Sequence, residues 1–237
     1  MPKRPLQRAD AERPGGECPA GRALCRRCWK PGTLCLCARL RAVANRTEIV
    51  IIQHPRERFH PLGTARIAAL GLIGCTVQRP RNPVTQRLAL APCAPQRAGL
   101  LFPGIPGHFD APTRSLADLA PEERPPALVV LDGTWPQARA LYRENAWLRG
   151  LPHFRLEPRE PSRYRIRRSP RRSYVSTLEA IVEALSILEP ATAGIAALLG
   201  VFDAMIDDQI AFAHQTPRRP QRKFARQARE RAGMRTA

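Results

Sequence analysis

The sequence predicts an α/β fold built on a parallel sheet, and three observations carry that prediction. Short apolar runs alternate with stretches of helical spacing from residue 48 to about 214, the pattern of strands joined by crossover helices. The runs are continuous, as strands buried on both faces are. Turn-forming pairs bound them, among them Pro103-Gly104, Pro125-Pro126 and Asp132-Gly133.

The β-branched run at 48–52 predicts the first strand, followed by a turn at His54-Pro-Arg-Glu57 and a helical pattern over 64–72. Residues 100–102 form a second buried run, stopped by Pro103-Gly104. The clearest strand is 127–131, after which 136–143 reads as a helix with proline in its first turn, a favoured starting residue. Another short strand is expected at 154–156. Over 176–188 the apolar residues Leu178, Ile181, Val182, Leu185 and Leu188 follow helical spacing, and Ser176 with Glu179 has the spacing of a capping box. A last helix is expected from about Thr192, with Ile195, Leu198, Leu199, Phe202 and Ile206 on a stripe that can serve as core or as interface. Ligands of such sheets bind beyond the carboxyl ends of the strands, which directs attention to the loops at 103–106 and 132–135.

A chain of 237 residues is one sizeable domain, with room for a small appendage. Lys+Arg is 39 against 20 Asp+Glu, a net charge of +19, which excludes an acidic solvating protein and makes a polyanion the default partner. No apolar run is long enough to span a membrane and the first residues lack the apolar core of a signal peptide, so a cytoplasmic protein with no membrane partner is expected. In that compartment thiols stay reduced, and seven cysteines point to metal or structural roles before disulfides. The chain divides into a disordered basic arm (1–24), a four-cysteine segment (25–44), a main domain (45–216) and a basic tail (217–237) with eight Arg/Lys and one Glu.

Cys25-x2-Cys28-x6-Cys35-x-Cys37 gathers four thiols within thirteen residues, and Pro31-Gly32 can reverse the chain between the two pairs. Four sulfurs suit tetrahedral Zn²⁺, and an iron–sulfur cluster uses the same ligand set. With every position filled by sulfur no site is left for an activated water, so the expected role is structural.

Asp132-Gly133-Thr134-Trp135 lies between the clearest strand and the next helix. Read alone, it is a well-made turn, with a conformationally free Gly133 and a capping Thr134. A carboxylate at the end of a central strand, beside an aromatic, is also what a nucleotide-like ligand needs. Eight arginines lie between 155 and 172, with Tyr164 among them, a stretch able to neutralise phosphates and stack a base.

These segments, in this order, resemble the DTW-domain family of tRNA-uridine aminocarboxypropyltransferases. The resemblance rests on the four cysteines, His54-Pro-x-Glu57 with Gly63-Thr64, and Leu101-Phe-Pro-Gly104. It continues through Leu131-Asp-Gly-Thr-Trp-Pro-Gln137, Tyr164-Arg-Ile-Arg167 and Ser176-Thr-Leu-Glu-Ala180, covering roughly residues 25–215. It implies a SPOUT-like parallel sheet with a C-terminal knot, preceded by the small zinc-binding segment. It also implies transfer of the 3-amino-3-carboxypropyl group of S-adenosylmethionine to N3 of a tRNA uridine, releasing 5′-methylthioadenosine.

Carried over residue by residue, the resemblance assigns catalysis to Asp132, Thr134 and Trp135. Asp132 is either the base for the N3 proton or a ligand of the cofactor's amine or ribose; Trp135 either stacks on the uracil or walls the adenine. Cofactor binding falls to Phe102, Pro103, Gly104 and Ile105, to Gly133, and to the helix start at Ser176 and Thr177, where free N–H groups favour a carboxylate. Glu179 would hold the amine, unless it folds back to cap its own helix. RNA binding falls to Tyr164, Arg165, Arg167, Arg168, Arg171 and Arg172, with Arg165 and Arg167 alternatively meeting the cofactor carboxylate and the C-terminal tail as a further grip. His54 and Glu57 carry less weight, as a strand end and an arginine partner. Superfamily relatives are often dimers, which makes a homodimer an option. Two other readings share these features: a SPOUT-type RNA methyltransferase, and a non-catalytic zinc-containing RNA-binding protein.

Overall fold

A computed structural model of the chain describes residues 23–80, 88, 97–102, 112–158, 160–166 and 175–215. Its centre is a parallel sheet of six strands: β1 (Glu48–Gln53), β2 (Cys75–Gln78), β3 (Gly99–Leu101), β4 (Thr113–Ser115), β5 (Ala127–Asp132) and β6 (His153–Arg155). The spatial order is β2-β1-β5-β3-β6-β4, every neighbouring pair being parallel. Among the described residues four α-helices accompany it: α1 (Ala65–Gly71), α2 (Trp135–Glu144), α3 (Thr177–Leu188) and α4 (Ala197–Gln215).

The continuous apolar runs follow from cover on both faces. Ile49, Ile51, Leu101, Leu128 and Val130 point into one core with α1, α3 and α4. Val50, Ile52, Leu100, Val129 and Leu131 point into the other, with Ala138, Leu141 and Tyr142 of α2 and with Leu148. Successive side chains alternate between two apolar layers, so no polar residue interrupts the run. Close helix and strand approaches need small residues: a Cβ on Gly99 would lie 2.2 Å from the Phe154 ring, and one on Gly71 2.4 Å from Leu198.

The expected elements are present with small changes of boundary, and two strands are additional. Both additions, β2 and β4, lie at the sheet edges and are short and partly exposed. Their residues carry no buried-strand pattern; the open edges of β1 and β6 recruit them. The last helix starts at Ala197 and not near Thr192, because Glu189 anchors the intervening turn. Its carboxylate accepts bonds from the backbone N–H of Arg46 (2.8 Å) and Thr47 (3.0 Å) and from the Thr192 hydroxyl (2.7 Å).

The stripe on α4 is core: Leu198, Val201, Phe202, Met205 and Ile206 are buried against α1 and α3. The cysteine segment joins that same core through Cys25, Cys28 and Leu36. Among the described residues no helix is long and apolar enough to cross a membrane. The two tails, at 1–22 and 216–237, lie outside the described residues. The expected C-terminal knot requires tracing through 103–111 and 167–174, which also lie outside them.

Candidate active site at the carboxyl ends of the strands

A cavity of about 430 Å³ opens at the carboxyl ends of β3, β5 and β6, the position a parallel sheet reserves for ligands and a size that accommodates one small molecule. Its walls are Leu101 at the end of β3 and Phe102 after it, residues 130–136 around the end of β5, Phe154 of β6 and Leu156 just after it, residues 62–64 after β1, and Ser176, Thr177 and Ala180 at the start of α3. Phe102 stacks on Tyr142 with ring centroids 5.7 Å apart, and Trp135 lies 6.3 Å from Phe102 at a tilt of 52°. The Tyr142 hydroxyl meets His153 Nε2 at 3.0 Å, while His153 Nδ1 meets the Leu151 carbonyl at 2.8 Å. Burial lowers the His153 pKa, so the ring is neutral, with Nδ1–H donating to Leu151 and Nε2 accepting from the tyrosine.

Asp132 is the last residue of β5 and is buried. Each of its oxygens has a fixed donor: Gln53 Nε2 at 2.8 Å from Oδ2, and the Thr177 hydroxyl at 2.6 Å from Oδ1. Gln53 is paired with Asp132 in the β1–β5 register, and its own Oε1 accepts from Arg79 Nε at 2.6 Å. The carboxylate is therefore held from two sides while bordering the cavity. Gly133 supplies clearance and not a special backbone conformation: among the described residues only Gly194 is a glycine with positive φ. A Cβ at 133 would lie 3.0 Å from Gln137 Cβ and 3.3 Å from His54 Cβ. Thr134 opens α2, its N–H donating to Gln137 Oε1 at 2.6 Å.

The distances bear on three of the expected roles. Glu179 is buried and folded back: it accepts from the backbone N–H of Ser176 (2.7 Å) and Arg163 (2.6 Å) and from the Ser162 hydroxyl (2.8 Å). It closes the capping box and ties the 162–163 loop to α3, and it is not among the residues facing the cavity. Tyr164, expected to stack on RNA, is buried with its ring 5.3 Å from Phe202 and its hydroxyl donating to the Leu62 carbonyl at 2.9 Å. Arg165 pairs with Asp207 at 2.6 Å, parallel to Arg163–Asp203 (2.7 Å) and Arg39–Asp208 (2.6 Å) along α4. Pro103, Gly104, Ile105, Arg167, Arg168, Arg171 and Arg172 lie outside the described residues.

His54 is the buried residue at the end of β1: its Nδ1 accepts from Arg56 N–H at 3.2 Å, and its N–H donates to the Asp132 carbonyl at 2.9 Å. Desolvation lowers its pKa, as neighbouring Arg56 also does against the opposing pull of Glu57, so it is neutral and structural. Glu57 itself borders the cavity. Gln53 is the site residue that motif reasoning missed. A polar residue closing a β-branched run, in register with Asp132, was the available signal.

The four cysteines come together as expected. Sγ–Sγ separations are 3.7 Å for Cys25–Cys37 and 3.6 Å for Cys28–Cys35, and all four sulfurs lie within 4.8 Å of one another. A disulfide between either pair would need about 2.05 Å, whereas four sulfurs ~2.3 Å from a tetrahedral ion stand roughly 3.8 Å apart. The spacing of the four sulfurs therefore fits a metal ion once Cys35, which is disulfide-bonded in this structure, is reduced to its thiolate. Burial and the neighbouring thiols Cys28 and Cys25 push the Cys37 pKa up to about 12, the repulsion that a bound cation would relieve. The first pair forms a tight knuckle, with Cys25 N–H donating to the Lys30 carbonyl at 2.8 Å and Trp29 N–H to the Cys25 carbonyl at 2.9 Å. None of the four sulfurs borders the cavity.

A family model described as "DTW domain" matches residues 22–210, spanning the cysteine segment and the sheet together. A mouse protein named tRNA-uridine aminocarboxypropyltransferase 2 is 34% identical over 171 residues, covering 70% of this chain and 56% of that protein. Its Drosophila namesake is 34% identical over 181 residues, covering 72% of this chain and 68% of the fly protein. An Arabidopsis protein named tRNA-uridine aminocarboxypropyltransferase A is 26% identical over 196 residues, covering 71% of this chain and 74% of the plant protein. The chain thus spans little more than half the length of its mouse relative. No solved structure matches it.

Proposed function

The chain belongs to the DTW domain family, and from that premise we propose that it is a tRNA-uridine aminocarboxypropyltransferase using S-adenosylmethionine. The observation that carries the proposal is that Asp132, Thr134 and Trp135 border one cavity of ligand size, with Asp132 clamped by Gln53 and Thr177.

When bound, S-adenosylmethionine supplies an electrophilic methylene next to a sulfonium, with methylthioadenosine as a good leaving group. The chain has two tasks: to present that methylene in line with N3 of uracil, and to take the N3 proton as the N–C bond forms and the C–S bond breaks. Phe102, Trp135 and Phe154 provide apolar walls for a purine. The first-turn N–H groups of α3, at Thr177 and Leu178, favour the amino-acid carboxylate. Glu57 replaces Glu179 as the acidic partner of the ammonium, because Glu57 borders the cavity and Glu179 is consumed by its own cap. Asp132 is the base: each oxygen accepts one bond from the protein and retains a lone pair for the proton. The four cysteines would hold a structural Zn²⁺, since they stand outside the cavity.

The test is mass spectrometry after incubating the protein with unmodified tRNA and S-adenosylmethionine. An aminocarboxypropyl group on uridine with release of methylthioadenosine is the expected result. A methyl group with S-adenosylhomocysteine would overturn the reaction, and salt-sensitive tRNA binding with no modification would favour the binding-protein reading.

A further inference from the structure

Of the residues first expected to grip RNA, Arg165 is paired with Asp207 on the surface and the Tyr164 ring is buried. A different surface has the chemistry that unpaired nucleotides need. Trp29, at the tip of the cysteine knuckle, and Phe59, in the loop after β1, are 37% and 56% exposed. Their rings meet edge to face with centroids 4.9 Å apart. Arg58 covers Phe59 at 4.8 Å and Arg66 covers Trp29 at 5.8 Å, with an Arg66 N–H donating to the Arg58 carbonyl at 3.3 Å.

Three independent observations point to a ligand here. Trp29 has φ 59°, a left-handed conformation that a bulky residue adopts only at a cost and that glycine would adopt freely. The strained backbone holds the indole exposed at the tip of the knuckle, where a ligand can reach it. The knuckle's exposed side-chain charge is basic: no Asp or Glu occurs between Cys18 and Thr47, and the exposed Arg26 and Arg27 lie just before Trp29. The surface also adjoins the active site, since Glu57, His60 and Gly63 border both the cavity and a small crevice shared with Trp29, Arg58 and Arg66.

We propose that Trp29 and Phe59 form a stacking platform for an unpaired base of the RNA substrate near the target uridine, with Arg58 and Arg66 holding the adjoining phosphates. The inference rests on the tRNA reading above. It gives the metal knuckle a second task, aiming Trp29 beside the cavity mouth. Aromatic stacking with arginine cover is how single strands are held without regard to sequence, and an extruded loop nucleotide is what an enzyme acting at a base edge requires.

The experiment measures tRNA affinity directly, by filter binding, for the parent, Trp29→Gly, Phe59→Ala and Arg58→Gln/Arg66→Gln. Trp29→Gly relieves the left-handed strain, so its metal content and melting temperature should be retained or raised, and lost binding cannot be charged to misfolding. Each aromatic substitution is expected to weaken tRNA binding about 5- to 150-fold, while S-adenosylmethionine affinity stays at the parent value. The double arginine variant should flatten the dependence of log Kd on log salt by about one to two. Unchanged tRNA affinity in both aromatic variants, in a parent that modifies tRNA, would overturn the platform and leave the enzymatic reading standing. A parent that does not bind tRNA would overturn both. Lost capture of a protein, with tRNA affinity intact, would make this surface a protein interface and overturn the proposal too.

Discussion

The Thr177 hydroxyl is the smallest group whose removal tests the Asp132 clamp. It donates to Asp132 Oδ1 at 2.6 Å, and Gln53 holds the other oxygen at 2.8 Å. Thr177→Val keeps the shape of the side chain and deletes the donor. A hydrogen bond to a charged group contributes about 1.5–3 kcal/mol. If the bond holds Asp132 where the N3 proton leaves, most of that is lost in the transition state, and kcat/KM falls roughly 10- to 150-fold. Thr177→Ser restores the donor and should return most of the activity. The assay is release of methylthioadenosine at limiting tRNA, with melting temperature followed in parallel.

Gln53→Leu probes the other oxygen, and because the two donors fix one carboxylate, the double variant should lose less than the sum of the single losses. The reasoning is refuted if Thr177→Val, folded and metal-replete, retains kcat/KM within about threefold of the parent and pays only in stability. Asp132 would then be a turn former at a strand end, and Glu57 would become the remaining carboxylate of the site.

Three further predictions concern one reassigned carboxylate, one buried anchor and the cysteine cluster. Glu179→Ala strands two backbone donors and the Ser162 hydroxyl; a loss of roughly 2–4 kcal/mol, visible as a lower melting temperature, is expected, whereas an unchanged melting temperature with lost S-adenosylmethionine binding would return Glu179 to the ligand site. Glu189 has its pKa lowered, burial being outweighed by the Arg46 N–H, the Thr192 hydroxyl and the Thr47 N–H. Its contribution is therefore complete above the ordinary value of 4.5 and drains away as pH falls through the lower folded value, so Glu189→Gln should flatten the acid limb of a stability–pH curve; an unaltered limb refutes the assignment. Cys28→Ser should remove the bound metal in elemental analysis and lower the melting temperature, and acid should release metal as thiolates protonate; a parent without metal would refute the zinc reading.

What the sequence made legible was what depends on short range. The strands at 48–53 and 127–132 announce themselves because both faces are covered and the apolar run is unbroken. The cysteine cluster is equally local, its ligands being within thirteen residues. The edge strands β2 and β4 were not legible, since their pairing is supplied by neighbours and not by their own residues. Likewise the partner of Asp132 stands 79 residues away in Gln53, brought alongside by the register of two parallel strands. Motif reasoning named one end of that bond and had no means of finding the other.

Charge was the least legible quantity, for a physical reason. Composition shows that arginine is in excess but not which guanidinium groups are already neutralised. Arg163, Arg165 and Arg39 lie in basic stretches, yet each meets an aspartate of α4, at positions 203, 207 and 208, on the helix whose apolar stripe faces the core. Those exposed pairs contribute little to stability; their consequence is subtraction from the field a polyanion would meet. Among the described residues, Arg26 and Arg27 on the knuckle, Arg58 in the loop after β1 and Arg66 on α1 form no ion pair, and two aromatic rings are exposed beside them. On the reading proposed above, a nucleic acid approaches where the described arginines have no carboxylate partner.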